Sequence, residues 1–527
     1  MVNNNFEQKN NLLPIKNASY WATHYFNKKI TQTNISYLIQ YGKIKAIKNN
    51  GTTLVNINDL KNYYQSLTSH RQKIWKEKLG DDLNWALSFE DYKESETTKH
   101  VHRLHPYKGK FIPQLVEYFL DSHTDKFKKQ VFFRPGDIVL DPFSGSGTTL
   151  VQANELSIHS IGIDISRFNN LIAEVKLLDY NLNLLKEKIE ILKKQLINFK
   201  VNYPINLFEK ELNEKIAYIN NKFFPVKKAE NDILGKTKEQ EITHFYLELI
   251  KKYKIPLLQK QQNNFLDRWY IRPIREEIDF VFSSIKKLED KNIKKILAII
   301  LSRTVRSCRA TTHLDLATLK NPQITPYYCF KHRKICKPLF SIKKWFFYYL
   351  DDTYNRLIHF SKLKKDVFWA VITADSRIVN IFEKIKKTNL KFYQLLLKQK
   401  IKGIFTSPPY VGQIDYHEQH AYAYDLFGFK RQDDLEIGPL FRGKGYEARK
   451  SYIDGISQVL INCQKYLTKN FDIFLVANDK YNLYPTIAKK SSLKIINQFK
   501  RPVLNRTERD KSPYAEIIFH LKKNDQK

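Results

Sequence analysis

Residues 138–149 read Ile-Val-Leu-Asp-Pro-Phe-Ser-Gly-Ser-Gly-Thr-Thr. Ile138, Val139 and Leu140 form a short apolar run of the kind that fills a strand buried on both faces. Asp141 ends the run. Gly145 and Gly147 permit a tight turn and a close backbone approach to a ligand, and a helix is predicted from Thr148 to about Leu156, its free amides facing that turn. A second apolar run, Ser160-Ile161-Gly162-Ile163, leads to Asp164, 17 residues beyond Gly147. Strand, glycine turn, helix and strand make a β-α-β unit, the start of a parallel sheet. An acid at the end of the second strand is placed to meet ribose hydroxyls. A phosphate-binding loop would carry Lys after the final glycine, where Thr148 stands, and a dinucleotide fingerprint would carry Gly or Ala at position 150, which is Leu. What remains is a nucleoside ligand without phosphates, such as S-adenosylmethionine.

A second stretch far downstream has matching logic. Ile404-Phe405-Thr406 reads as a strand that runs into Ser407-Pro408-Pro409-Tyr410. Two successive prolines fix the backbone and leave carbonyls without neighbouring amide donors. The Ser407 oxygen and the Pro408 carbonyl can then accept hydrogen bonds from an exocyclic amine, and Tyr410 offers a ring to stack on an extruded base. Acceptors around an amino group draw its lone pair out of conjugation and towards an electrophilic methyl group. That chemistry needs no covalent nucleophile.

Outward from these two stretches, further strands are predicted at Val371-Ile372-Thr373, Ile473 to Val476 and Ile517 to Phe519. Between about Glu174 and Lys365 the pattern is instead long, amphipathic and Lys-rich, for example over Asn183 to Phe199 and Arg275 to Arg309, so the sheet is interrupted by about 190 helical residues, the size of a domain. Within this segment Arg303, Arg306 and Arg309 recur every three residues and lead to Thr311, Thr312 and His313, a stripe that suits phosphate or base-edge contact or a solvated basic face equally. At the other end of the chain, Trp21 to Phe26 and Thr33 to Gln40 read as helices, Tyr41-Gly42-Lys43 as a turn, Lys45 to Ile47 and Thr53 to Val55 as strands around Asn49-Asn50-Gly51, and Asn58 to Tyr64 as a capped helix. Helix, turn, helix and wing resembles the winged helix-turn-helix modules of DNA-binding proteins.

The composition agrees with a polyanionic partner. Among 527 residues, Lys and Arg number 89 against 54 for Asp and Glu, a formal charge of +35, and phosphates reward clustered cations by counterion release. A general Lys and Asn bias of the chain is the alternative source of that charge. Apolar residues at 42% and aromatics at 13% suffice for a sizeable core. Four cysteines are too few for a disulfide framework, and neither a signal pattern nor a membrane-length apolar run is present, so a cytoplasmic protein with no membrane association is expected. Cys329, His332 and Cys336 have a spacing that suggests zinc, but a structural site needs four ligands and only Cys308 or His313 could complete it. Buried cysteines in a basic loop are the expectation, with no metal. Asp415, Tyr416, His417, Glu418 and His420, just past the proline turn, could shape a target pocket, and Arg506 to Lys511 reads as a charged loop beside it.

Asp-Pro-Phe-Ser-Gly-Ser-Gly-Thr-Thr (141–149) together with Thr-Ser-Pro-Pro-Tyr (406–410) resembles the amino-group DNA methyltransferases, the N4-cytosine and N6-adenine enzymes of restriction–modification systems. His105 to Pro113 is similar to the segment that closes over the methionine part of the cofactor, and Ala374-Asp375-Ser376-Arg377 to the acidic position near its adenine. The resemblance covers about 100–180 and 366–521. It implies an α/β, Rossmann-like methyltransferase core of seven strands, and S-adenosylmethionine held by Lys108, Phe111, Asp141, Pro142, Phe143, Ser144, Gly145, Gly147, Thr148, Thr149, Asp164 and Asp375. Ser407, Pro408, Pro409 and Tyr410 would hold and activate the base. Members with Asp or Asn before Pro-Pro usually methylate adenine and those with Ser usually cytosine N4, so Ser407 points to cytosine. Methylation of carbon 5 would need a nucleophilic Cys after Pro, and no cysteine here follows a proline. The implied organisation is a DNA-binding module at 1–66, a helical linker at 67–100, the cofactor half of the core at 101–180, a target-reading helical insertion at 181–365 and the catalytic half at 366–527. Double-stranded DNA is the implied partner, and a cognate endonuclease, where one exists, is a separate polypeptide. The rival readings are N6-adenine methylation by the same site, an RNA amino-group methyltransferase, and a non-catalytic DNA-binding regulator.

Overall fold

The runs that read as buried strands pair into one sheet. A computed structural model describes residues 11–26, 30–40, 44–49, 51–225, 231–261, 263–313, 321–504 and 513–524. The turn at 41–43, Asn50 and the charged loop at 506–511 therefore lie outside the described residues. The sheet consists of β1 (Ile138–Asp141), β2 (His159–Asp164), β3 (Trp369–Thr373), β4 (Ile401–Thr406), β5 (Leu467–Ala477), β6 (Leu493–Pro502) and β7 (Ala515–Lys523), in the order β6-β7-β5-β4-β1-β2-β3. β1 pairs parallel with β2 and with β4, β2 with β3, and β4 with β5. All four residues of β1 are buried, as a central parallel strand covered on both faces requires. The chain winds outward in opposite directions from β1 and β4, and in doubly wound sheets the crevice at that reversal is where ligands bind.

Two compact units are distinguished, one of residues 1–94 with 498–518, the other of 95–497 with 519–527. In the first, helices Ile15–Tyr25 and Gln32–Gln40 precede strands Ala46–Asn49 and Thr52–Asn56, which pair antiparallel, and a further strand at Leu12–Pro14 adds to the same sheet. Ala18, Ala22, Ile35, Leu38, Val55 and Leu60 form its core. The helix that follows is far longer than Asn58 to Tyr64. It starts at Ile57 under the Asn56 side chain, which accepts from the Asn58 amide, and runs to Leu79, where Gly80 at φ +105° ends it. No Gly or Pro intervenes to stop it sooner.

In the second unit, the segment between β2 and β3 is helical from Arg167–Leu177 to Lys343–Ser361, interrupted by a two-stranded hairpin at Tyr327–Cys329 and Lys334–Cys336. The apolar spacing sets the buried faces: Leu185, Ile189, Leu192 and Leu196 on one helix, Phe208, Leu212, Ile216 and Ile219 on the next. The long helix read over Arg275 to Arg309 is two, Arg272–Lys286 and Lys291–Ser307, because Asp290 caps the second by accepting from the amides of Asn292 and Ile293. These helices do not close a core of their own. Their apolar faces are continuous with Leu150, Val151, Phe168 and Ile172 from the helices on the sheet. Among the described residues no helix is long and apolar enough to cross a membrane.

The turn after β1 depends on Gly147, at φ +75° and with a would-be Cβ 2.7 Å from the Ala173 Cβ. Replacement by Ala adds both a left-handed backbone cost and a clash with a neighbouring helix. Gly147→Ala should lower stability by about 2–4 kcal/mol, read from urea denaturation midpoints at unchanged slope.

Candidate active site

Both sequence motifs end at the reversal point, and they are bonded to each other there. The Thr406 hydroxyl, last residue of β4, donates to Asp141 Oδ1 at 2.5 Å, and the Thr149 hydroxyl donates to the Phe405 carbonyl at 3.4 Å. The glycine loop is held by its own sheet. The Ser144 amide donates to the Ile163 carbonyl (3.0 Å), the Gly147 amide to the Ser144 carbonyl (2.7 Å) and the Gly145 amide to Asp164 Oδ2 (3.0 Å). The other Asp164 oxygen accepts from the Ser166 amide at 2.8 Å. Gly145 sits so close beneath Tyr107 that a Cβ would lie 2.8 Å from its hydroxyl.

Above this floor is a cavity open to solvent at its mouth. Phe111, Asp141, Pro142, Phe143, Ser144, Gly145, Thr148, Asp164, Asp375, Ser407 and Pro409 line it. Five of the residues assigned from sequence do not. Gly147 shapes the turn from beneath, and Thr149 is wholly buried against β4. Pro408 is buried and Tyr410 half-buried, and neither is among the residues that line the cavity. Lys108 is also absent from the lining. Burial and the neighbouring Arg306 and Arg309 pull its pKa down, whereas Tyr107, Gly109 and Lys110 of the same segment face the cavity.

The cationic stripe divides as well. Arg303 is buried, bonded to Asp352 at 2.7 Å and stacked over Tyr349, which makes it a packing element. Arg306 and Arg309 are the part that gathers near Lys108. Asp375 lines the cavity with its carboxylate engaged by Arg377, at 2.7 Å from Nη2.

Of the five residues past the proline turn read as candidates to shape a pocket, Tyr416 and His417 line the cavity, joined by Glu436 and Asn169, which the sequence patterns missed. His417 and Glu436 are buried and bonded ring nitrogen to carboxylate, with the His417 amide also donating to Glu436 Oε1 at 2.8 Å. His417 stood out within Asp-Tyr-His-Glu-Gln-His, but nothing local marked Glu436, 19 residues later. Tyr107 stacks between Tyr416 and His420, at ring separations of 5.9 and 5.7 Å. Burial, then Arg306, pushes His420 down to about 3, which keeps that ring neutral.

Asp141 and Asp164 are the electrostatic centre. Burial pushes each up to about 6, against the pull of hydrogen bonds from Thr149, Thr406 and the Phe143 amide on Asp141, and from Ser166, Asn169 and Gly145 on Asp164. The cavity walls also carry buried polar atoms without a protein partner: the Ser144 and Ser146 hydroxyls, Asn169 Oδ1 and His417 Nε2. Acidic acceptors beside unfilled donors and acceptors, with an aromatic lid of Tyr107 and Phe111, suit a polar nucleoside carrying a cationic amino-acid arm.

A doubly wound sheet with this cavity at its reversal point defines a methyltransferase core. A DNA methylase family model matches residues 5–174. The chain is 49% identical over 524 residues to the type II methyltransferase M.MjaII of Methanocaldococcus jannaschii, an alignment covering 97% of each protein. It is 28% identical over 211 residues to the type II methyltransferase M.BsoBI of Geobacillus stearothermophilus, covering 39% of this chain and 38% of that one. The chain therefore belongs to the amino-group DNA methyltransferases of type II restriction–modification systems. The rRNA methyltransferase aviRa from Streptomyces viridochromogenes overlays on 82% of this chain and 94% of its own at 9% identity, with a TM-score of only 0.28. Membership implies S-adenosylmethionine as methyl donor. Both the family match and the M.MjaII alignment extend over the N-terminal module, beyond the motif-bearing halves from which the resemblance was read.

Two outcomes follow from the carboxylates. Asp164→Asn should weaken S-adenosylmethionine binding by roughly 10- to 100-fold, by loss of a charge-assisted acceptor, as read by isothermal titration calorimetry. A carboxyl with a folded pKa above its unfolded value holds its proton more tightly when folded, so its stabilising contribution is complete below about pH 4 and is lost as pH rises through about 6. Thermal melts of the ligand-free protein between pH 4 and 7 should show that downward trend flattened in Asp164→Asn relative to the parent.

Proposed function

We propose that this protein methylates the exocyclic N4 of a cytosine in double-stranded DNA, with the target base swung out of the duplex, as the modification enzyme beside a separately encoded endonuclease. The observation that carries this reading is that Ser407 and Pro409 line the same cavity as Asp141 and Asp164. A base delivered against the proline turn would meet a methyl donor held over the glycine loop, with no further movement of either strand end. Duplex DNA hides the amino group within its stack, so extrusion is the route by which a cavity of this depth can reach it.

When bound, S-adenosylmethionine supplies an electrophilic methyl group. Asp164 would fix its nucleoside through the ribose hydroxyls, and Asp141 with the Tyr107 to Phe111 segment its amino-acid arm. The Ser407 hydroxyl, which lines the cavity beside Pro409, would accept an N–H bond of the cytosine amine. That pulls the amine out of the ring plane and localises its lone pair. Serine suits this role because it is a neutral acceptor. No cysteine is among the cavity's lining residues, in keeping with direct transfer to nitrogen. Positioning and exclusion of water would supply most of the acceleration. The net charge of +35, with Arg306, Arg309 and Lys108 gathered together, supports a phosphate-bearing substrate. The helical segment 181–365 and the module at 1–66 are the candidates for reading sequence.

Mass spectrometry of nucleosides from DNA of cells expressing the protein should reveal N4-methylcytosine, absent when Ser407→Ala is expressed instead. In purified form Ser407→Ala should lower kcat about 100-fold or more while S-adenosylmethionine affinity stays within a few-fold. N6-methyladenine in its place would overturn the choice of base, and methylation confined to RNA would overturn the choice of substrate.

A further inference from the structure

The helical segment brings together four metal-binding side chains away from the cavity. Cys329 ends one strand of the hairpin and Cys336 ends the other, with His332 in the turn between them. That turn is tight: the His332 and Arg333 amides both donate to the Cys329 carbonyl, at 3.1 and 2.6 Å, and Arg333 takes φ +52°. The fourth residue, His313, comes from the segment that follows helix Lys291–Ser307. One ligand atom from each of the four lies within 4.8 Å of all the others. Cys329 Sγ is 3.6 Å from His313 Nδ1, and Cys336 Sγ is 3.5 Å from His332 Nδ1. The edges of a tetrahedral zinc site with two sulfur and two nitrogen ligands are about 3.3–3.8 Å, from bond lengths of about 2.3 and 2.0–2.1 Å. Two of the six edges already have that length, and the others lie within 4.8 Å, so small side-chain adjustments would close the site. Cys308, the other residue that could have completed the set, is buried at the C-terminal cap of helix Lys291–Ser307 and does not join it.

We propose that His313, Cys329, His332 and Cys336 form a structural zinc site. Two thiolates neutralise the dication, so the surrounding Lys331, Arg333 and Lys334 do not oppose binding. Two soft sulfurs with two imidazoles in a tetrahedral arrangement select zinc over the hard cations. Four protein ligands leave no open position, so the ion's role is to cross-link. Its two ends are well defined. The hairpin is pinned to helix Ile205–Phe223 by Asn220, whose side chain bonds both the amide and the carbonyl of Ile335, and to helix Asn231–Tyr253 by Glu239, which accepts from the Tyr328 amide at 3.1 Å. The ion would tie that assembly to His313, four residues beyond Arg309. The Tyr327 hydroxyl sits 2.8 Å from His313 Nδ1, whose lone pair would serve zinc instead.

The test is metal analysis of the full-length protein, expressed with zinc supplied and purified under reducing conditions without chelator. One zinc per chain is expected, with none in the Cys329→Ser/Cys336→Ser double variant. S-adenosylmethionine binding by the double variant shows that its core is folded, since the cavity lies elsewhere. Should that variant not fold, cobalt(II) exchanged into the wild-type protein decides the matter. Intense visible bands of a tetrahedral ion with thiolate-to-cobalt charge transfer support the site, and the weak spectrum of an octahedral ion overturns it. The proposal also fails if the wild type takes up no zinc from added zinc chloride, if the double variant retains a full equivalent, or if thiol counting finds Cys329 and Cys336 joined as a disulfide.

Discussion

The bond from the Thr406 hydroxyl to the Asp141 carboxylate spans the reversal point of the sheet, and the site is organised around it. It joins the last residues of two parallel strands separated by 265 positions in sequence. On one side stands the glycine loop, on the other the Ser-Pro-Pro-Tyr turn. Strand pairing of β1 with β4 brings these turns within reach, and the hydroxyl–carboxylate bond sets their register at the tips. A shift of one residue in that pairing would turn each strand's side chains to the opposite face and part the two halves of the site.

Placing that carboxylate beneath a cavity has an electrostatic consequence. Asp141 and Asp164 are both buried, and the loop amides and hydroxyls that bond them only partly offset the loss of water. The ligand-free protein therefore holds two carboxyls whose ionised forms are under-solvated, beside polar atoms of Ser144, Ser146, Asn169 and His417 that lack partners. A ligand that supplies hydroxyl and ammonium donors satisfies both deficits together. Affinity and selectivity thus come from one arrangement.

The helical segment between β2 and β3 extends the sheet's own core. Phe168 and Ile172, on the helix after Asp164, are continuous with the apolar faces of seven further helices of the segment. This explains why Arg303 can be buried there with Asp352 as its partner, and why the stripe of three arginines serves two purposes. The first arginine anchors two helices, while the next two remain with Lys108.

Local chemistry was legible in the sequence. The glycine turn, the acid 17 residues beyond it, the proline turn and the strand–helix alternation are each written within a dozen residues, because strand burial, tight turns and helix starts depend on neighbours along the chain. Membership of the amino-group methyltransferases was legible for the same reason. What could not be read was whatever depends on partners far apart. Glu436 meets His417 through a loop with no periodicity, Tyr410 and Lys108 are not among the lining residues of a cavity their motifs suggested, and Arg303 leaves the stripe to pair with Asp352. His313 joins the hairpin cysteines, where spacing alone left it level with Cys308. The sequence by itself determined which backbone turns form and which atoms they offer. Only the tertiary structure decided which side chains share a cavity or a coordination sphere, because that depends on how strands and helices distant in sequence are packed together.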